Sequence, residues 1–253
     1  MSDVTSYSTR FQNQTDVEAY EHGEYGPASY SSQVWQWQRP VVEQIIRDFR
    51  QNRPQPVRLL DFACGTGRVL SSIESLADFV EGVDISENMV KLARSKCLKA
   101  KLSVGDILSQ PNLLTGQFDI ITAFRFLLNV EPIIRERVLR KLREVISVPG
   151  GLLMVNVHGN SRSLRHPAIV WRRWRERSHP SNAMLNEMSP NETQALLNAS
   201  GFRIVRHFGF GMLPPTLYRT PLRKTAAAAD RLFAGENLWR NVSIDMMFVC
   251  EPC

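Results

Sequence analysis

Apolar positions along this chain follow two periods, and the switches between them predict most of its elements. Between Pro40 and Arg50, Val41, Val42, Ile45, Ile46 and Phe49 recur at helical spacing, which predicts an amphipathic helix. From residue 57 onward, short apolar runs alternate with longer amphipathic ones. They predict strand 57–61, helix 67–76, strand 79–84, helix 87–97, strands 100–105 and 118–124, helix 133–146 and strand 151–157. Such alternation implies an α/β fold, a parallel sheet with helices on both faces. Residues 158–188 break the pattern. Ser189-Pro190-Asn191-Glu192 then starts a helix over 190–200, Gly201 stops it, and Phe202 to Phe208 reads as strand. Residues 210–240, with Pro214-Pro215 and a helical run near Ala226 to Phe233, read as an insertion before a last strand, Ser243 to Cys250.

Ahead of this pattern, residues 1 to about 38 are polar with interspersed aromatics: Tyr7, Phe11, Tyr20, Tyr25, Tyr30, Trp35 and Trp37. Their rings would otherwise lie in water, so an irregular or partly helical arm folded onto the body is expected. No repeat or low-complexity linker divides the 253 residues. The expectation is one domain over 1–253: arm and helix to residue 50, a ligand-binding core over 57–157, and insertions at 158–188 and 210–240.

The chemistry centres on Leu59-Leu60-Asp61-Phe62-Ala63-Cys64-Gly65-Thr66-Gly67-Arg68, where a buried strand ends in an acid, turns on small residues and opens a helix. Gly65 and Gly67 permit positive φ and a close approach of ligand to backbone. A dinucleotide fingerprint wants G-x-G-x-x-G, but Ala63 and Leu70 occupy the related places. A P-loop needs Gly-Lys-Ser/Thr, and Gly67 is followed by Arg68-Val69. Two further runs end in acids, Phe79-Val80-Glu81-Gly82-Val83-Asp84 and Leu102-Ser103-Val104-Gly105-Asp106. An aspartate at a strand end can accept hydrogen bonds from both hydroxyls of a ribose.

The stretch D-x-A-C-G-T-G at Asp61–Gly67 resembles motif I of the class I S-adenosylmethionine-dependent methyltransferases, and the later acids and Pro149-Gly150-Gly151 before the fifth strand follow in that family's order. The resemblance spans about 100 residues. It implies a doubly wound seven-stranded sheet, mostly parallel, with an antiparallel last strand, and S-adenosylmethionine as cofactor. It also implies that Asp61 lies near the methionine amino group, Asp84 holds the ribose and Asp106 faces the adenine amino group. Ala63, Cys64, Gly65 and Gly67 would form the cradle; Ile85, Met89, Ile107, Ala123 and Phe124 would flank the nucleoside.

Composition narrows the setting. The charged and hydrophobic fractions are those of an ordinary globular protein. No apolar run approaches the ~18 residues of a membrane span, and the first residues lack a basic and apolar leader pattern. Four cysteines point to a reducing, cytoplasmic compartment. Cys250 and Cys253 form C-x-x-C without a second pair, so no metal site is expected.

The formal charge of +6 permits an acidic partner. Residues 158–188 hold the densest cluster, Arg162, Arg165, Arg172, Arg173, Arg175 and Arg177, interleaved with Trp171 and Trp174. Such a stretch can bind nucleic acid, anionic lipid headgroups or a phosphorylated substrate. The favoured expectation is a helix that buries Val170, Trp171 and Trp174 and solvates its arginines.

His158, just beyond the fifth strand, is the candidate base, and Arg125, after the fourth, the candidate partner for an acidic group on the acceptor. Asn129, Tyr218 and His22 are weaker candidates. Relatives often carry a histidine near the end of Phe126-Leu127-Leu128-Asn129, and this chain does not. The resemblance implies methyl transfer to a hydroxyl or amine of a small molecule, with a sugar or secondary metabolite favoured. An RNA methyltransferase using the basic insertion and a silent binding module on the same fold stand as alternatives. No recognisable RNA-binding module is appended.

Overall fold

The computed structural model describes residues 29–176 and 186–253, together with Val17, Gly23 and Gly26. Tyr7, Phe11, Tyr20, His22 and Tyr25 of the expected arm, and Arg177, lie outside the described residues. Seven strands form one sheet: β1 (Arg58–Phe62), β2 (Phe79–Asp84), β3 (Lys101–Val104), β4 (Ile120–Ala123), β5 (Leu152–Val157), β6 (Phe202–Phe210) and β7 (Asp245–Pro252). Their order is β3-β2-β1-β4-β5-β7-β6. β1 to β5 pair in parallel, and β7 runs antiparallel between β5 and β6. The direction in which strands are added reverses between β1 and β4, and ligands of open α/β sheets bind at such a switch point.

Alternation along each strand divides the core in two. Leu60, Ile121, Val155 and Phe248 face one side with the helices α4 (Pro132–Val145) and α6 (Pro190–Ala199). Leu59, Ile120, Met154 and Met247 face the other, against α1 (Tyr30–Gln51) and α2 (Leu70–Ile73). The third helix, α3 (Glu87–Lys96), follows β2.

Two helices differ from their predicted spans. α1 begins ten residues before Pro40, because Ser29 caps it by accepting the Ser32 N–H at 3.1 Å. Pro40 is tolerated inside the helix at an exposed position, where the carbonyl it leaves unpaired can meet water. The predicted helix 67–76 contracts to the four residues of α2. The Ser72 hydroxyl donates to the Val69 carbonyl at 2.7 Å, and tight turns flank the short helix.

The two insertions carry α5 (His166–Glu176) and α7 (Arg223–Phe233). In α5 the inward residue is Ile169, while Val170, Trp171 and Trp174 are exposed, contrary to the expected burial of those three. Once Ile169 fixes the inner face, the other three fall roughly 100–200° around the helix from it. The second insertion is fastened by the buried Asp230, which accepts the N–H groups of Met212 and Leu213 at 2.8 and 3.0 Å and the Tyr218 phenol at 2.5 Å.

Candidate functional site

The turn after β1 is built for a ligand to approach. Ala63, Gly65 and Gly67 all have positive φ, at 54°, 54° and 76°. A side chain at Gly67 would meet Cys97 Sγ at 2.8 Å and Ala93 Cβ at 3.0 Å, so glycine there lets the turn seat on α3. One at Gly65 would meet nothing within 4 Å. The Gly65 backbone therefore presents an open flank, held in place because its N–H donates to Asp84 Oδ2 at 2.9 Å.

Three strand-end carboxylates surround this turn in different states. Asp61 is 2% exposed, accepts the Thr122 hydroxyl at 2.6 Å, and leaves its Oδ2 without a hydrogen bond among the described residues. The pairing of Asp61 with Thr122 across β1 and β4 sets that contact. Burial raises the Asp61 pKa to about 7, with Thr122 and Arg68 opposing the shift. Asp84 is fixed by the Gly65 N–H and by the Ser86 N–H at 2.9 Å, and burial raises its pKa as well. Asp106 accepts the Leu108 N–H at 2.9 Å, which stiffens the turn after β3.

A cavity of about 460 Å³ opens between these strand ends and the first turns of α4. Ala63, Asp84, Ile85, Asp106 and Ile107 form one wall, and Ile133, Ile134 and Val138 the other. A mostly apolar slot lined also by three carboxylates, Asp84, Asp106 and Glu131, suits a flat heterocycle carrying hydroxyl and amino donors. An orphaned buried carboxylate oxygen on Asp61, an open glycine flank and this slot together fit an adenine nucleoside with a cationic amino group.

Of the predicted cofactor residues, Asp61, Cys64, Gly65, Gly67, Met89, Ala123 and Phe124 do not line that cavity. Cys64 and Phe124 pack in the core beneath α1, Phe124 edge-on to Trp35 at 5.8 Å, and Ala123 is buried on the opposite face. Met89 packs against Val17. The side chains of Cys64, Phe124, Ala123 and Met89 are engaged in packing. Burial pushes the Cys64 and Cys250 thiols up and that of Cys97 to about 12, so all three stay protonated.

Arg125 and His158 stand outside the cavity wall, in a polar cluster at the ends of β4, β5 and β7. Arg125 has φ 59°, its N–H donates to Asn156 Oδ1, its guanidinium donates to the Ser31 hydroxyl at 3.2 Å, and Asn129 donates to its carbonyl. Asn156 in turn donates to Asp245 at 3.2 Å, and Gln38 donates to the same oxygen at 2.7 Å. Burial raises the Asp245 pKa to about 6, partly offset by Arg125. His158 Nδ1 is shielded and has no partner among the described residues. Burial, then Arg125 and Arg165, hold its pKa well below the usual 6.5. Tyr218 is withdrawn from this cluster, since its phenol is committed to Asp230.

Gln38, Asn156 and Asp245 are missing from the sequence-predicted set. Each left a trace: Gln38 sits on the buried stripe of α1 between Val34 and Val42, and Asn156 interrupts an apolar strand. Asp245 is an acid at the entry of the apolar strand β7.

A family model described as a methyltransferase domain matches residues 34–207. The chain belongs to the methyltransferase-domain family. The magnesium protoporphyrin IX methyltransferase of Synechocystis PCC 6803, solved with bound SAH, has the same fold, with a TM-score of 0.65 over all of both chains at 15% identity. S-adenosylmethionine is the cofactor of this methyltransferase family. Among curated relatives, a demethylmenaquinone methyltransferase of Leptospira interrogans is 27% identical over 135 residues, 50% of this chain and 52% of its own. A dTDP-4-amino-2,3,4,6-tetradeoxy-D-glucose N,N-dimethyltransferase of Saccharopolyspora spinosa is 27% identical over 127 residues, 49% of this chain and 48% of its own. The chain spans about half the length of the curated relatives it matches.

Proposed function

We propose that the chain transfers a methyl group from S-adenosylmethionine to a hydroxyl or amine of a small molecule, with a sugar or secondary metabolite as the favoured acceptor class. When bound, the cofactor supplies a sulfonium methyl that is already electrophilic. Asp61 Oδ2 would hold the amino group of its methionine part, Asp84 the ribose hydroxyls and Asp106 the adenine amino group. Ile85 and Ile107 would exclude water from the adenine. The names of the relatives, which act on a quinone precursor and on an amino sugar, support small-molecule chemistry of this kind.

The acceptor side of the reading is carried by one observation: a neutral histidine with an unpartnered nitrogen beside an arginine, at the ends of β4 and β5. An imidazole held neutral is ready to take the proton of an attacking hydroxyl. The Arg125 guanidinium offers an anionic or hydroxyl-rich acceptor a fixed donor, because Asn156 and Ser31 restrain both its backbone and its head. Alignment and exclusion of water are the main tasks left to the chain.

The experiment is methyl-labelled S-adenosylmethionine offered with a panel of sugars, phenols and amines. Label is expected in one acceptor class. For a hydroxyl acceptor, His158→Ala should lower kcat by about 10²–10⁴-fold with KM little changed. The acid limb of the wild-type rate profile should lie well below pH 6.5, since the base is lost only as pH falls through its lowered pKa. Transfer to no small molecule, with label instead in RNA, would overturn the reading.

A further inference from the structure

We infer that the two insertions dock this protein on an anionic membrane surface, with the carboxyl edge of the sheet turned toward the lipid. β5 and β6 both run antiparallel to β7, so residues 158–188 and 210–240 leave the sheet at the same edge. That edge also carries Arg125 and His158.

Both insertions leave large apolar side chains in water. On α5, Val170, Trp171 and Trp174 share one side, with the two indoles 57% and 69% exposed. On the second insertion Leu232 and Leu238 are 81% and 96% exposed, and Trp239 is half exposed. Isolated exposed hydrophobics are ordinary, but eight of the fifteen large ones exposed among the described residues belong to these two segments, and such a concentration points to a contact surface.

Charge identifies the partner. The two insertions hold eleven Lys and Arg against four Asp and Glu, a surplus of seven positive charges in a chain whose formal charge is +6. The rest of the sequence is therefore close to neutral in net charge, and the positive surplus lies in these two segments. A helix with Trp and Val on one side in an arginine-rich segment has the composition of an interfacial helix that sinks its apolar face among acyl chains beneath anionic headgroups. A nucleic acid would satisfy the arginines and stack on the indoles. It offers nothing to Val170, Leu232 and Leu238, which gain only by leaving water for an apolar phase. Among the described residues no helix is long and apolar enough to cross a membrane, and the proposed contact is with the membrane surface.

The test is co-sedimentation of the full chain with phosphatidylcholine vesicles with and without phosphatidylglycerol, at low and high salt. Binding is expected only to the anionic vesicles and should weaken with salt. The Trp171→Ser/Trp174→Ser variant should bind at least about tenfold less while remaining folded, as its melting curve and circular dichroism will show, because both indoles are largely exposed. Quenching of wild-type tryptophan fluorescence by brominated acyl chains should accompany binding, which tests insertion without any substitution. The proposal is overturned by absence of vesicle binding, by a double variant that binds as well as wild type, or by tRNA displacing the protein from vesicles without itself requiring the tryptophans. It is also overturned if wild type sediments as an oligomer that the double variant abolishes, since the patch would then be an interface between copies.

Discussion

Asp61 is a side chain placed at a cost to stability. Its carboxyl is buried with one oxygen unpartnered, and its pKa stands at about 7 against an ordinary 3.8. Between those two values the folded chain holds a proton that the unfolded chain has released, so this residue makes the fold less stable as pH rises from about 4 to 7. Asp61→Asn should therefore raise the melting temperature of the ligand-free protein at pH 8, by up to about 4 kcal/mol of stability, and abolish cofactor binding. If Asp61 meets the ammonium as proposed, affinity of the wild type for S-adenosylhomocysteine should fall as pH drops through about 7, where this carboxylate is protonated. A melting temperature lowered by the substitution would contradict this reading. Asp61, Asp84 and Asp106 were legible in the sequence because each ends an apolar run, which places an acid at a strand's carboxyl end. Gln38, Asn156 and Asp245 were not, because each lies within or beside an apolar stripe, where periodicity marks the position as core and says nothing of a polar partner across the sheet. The exchange between Asp245, Asn156 and Gln38 links residues up to 207 positions apart.

Among elements, the strands were read more faithfully than the helices. A buried strand is short and bounded by turns, so its pattern has few alternatives, and all seven strands formed near their predicted places. α1 was read too short because Pro40 looks like a start, whereas the Ser29 cap supplies the actual one. The inner face of α5 differs from the expectation because apolar residues occupy more than one side of it, and among its described side chains Ile169 is the buried one. The second insertion depends on a polar device. Asp230 is fully buried and satisfies two backbone N–H groups and the Tyr218 hydroxyl. Asp230→Ala leaves those donors unpaired and should cost about 3 kcal/mol, a fall of roughly 6–12 °C in melting temperature, with new proteolytic cleavage within 210–240. Cleavage elsewhere, or none, would show that this carboxylate does not hold the segment.

At the scale of the whole molecule, topology does what no single residue can. The reversal of strand order between β1 and β4 brings the turn of Ala63 to Gly67, the carboxylates of three neighbouring strands and the polar cluster of Arg125 and His158 to one edge. The same edge carries both insertions. In the proposed reading the sheet separates two tasks: the cavity beside β1 to β3 takes the nucleoside, and the polar groups at the ends of β4, β5 and β7 face the acceptor. The most direct measurement is calorimetric titration of the purified chain with S-adenosylhomocysteine, repeated on Asp84→Ala. Micromolar binding that weakens by about tenfold or more in the variant is predicted, since Asp84 is fixed by two backbone N–H groups with its face toward the slot. Folded protein free of copurified ligand that takes up no S-adenosylhomocysteine, or an Asp84→Ala variant that binds as tightly as wild type, would contradict the account.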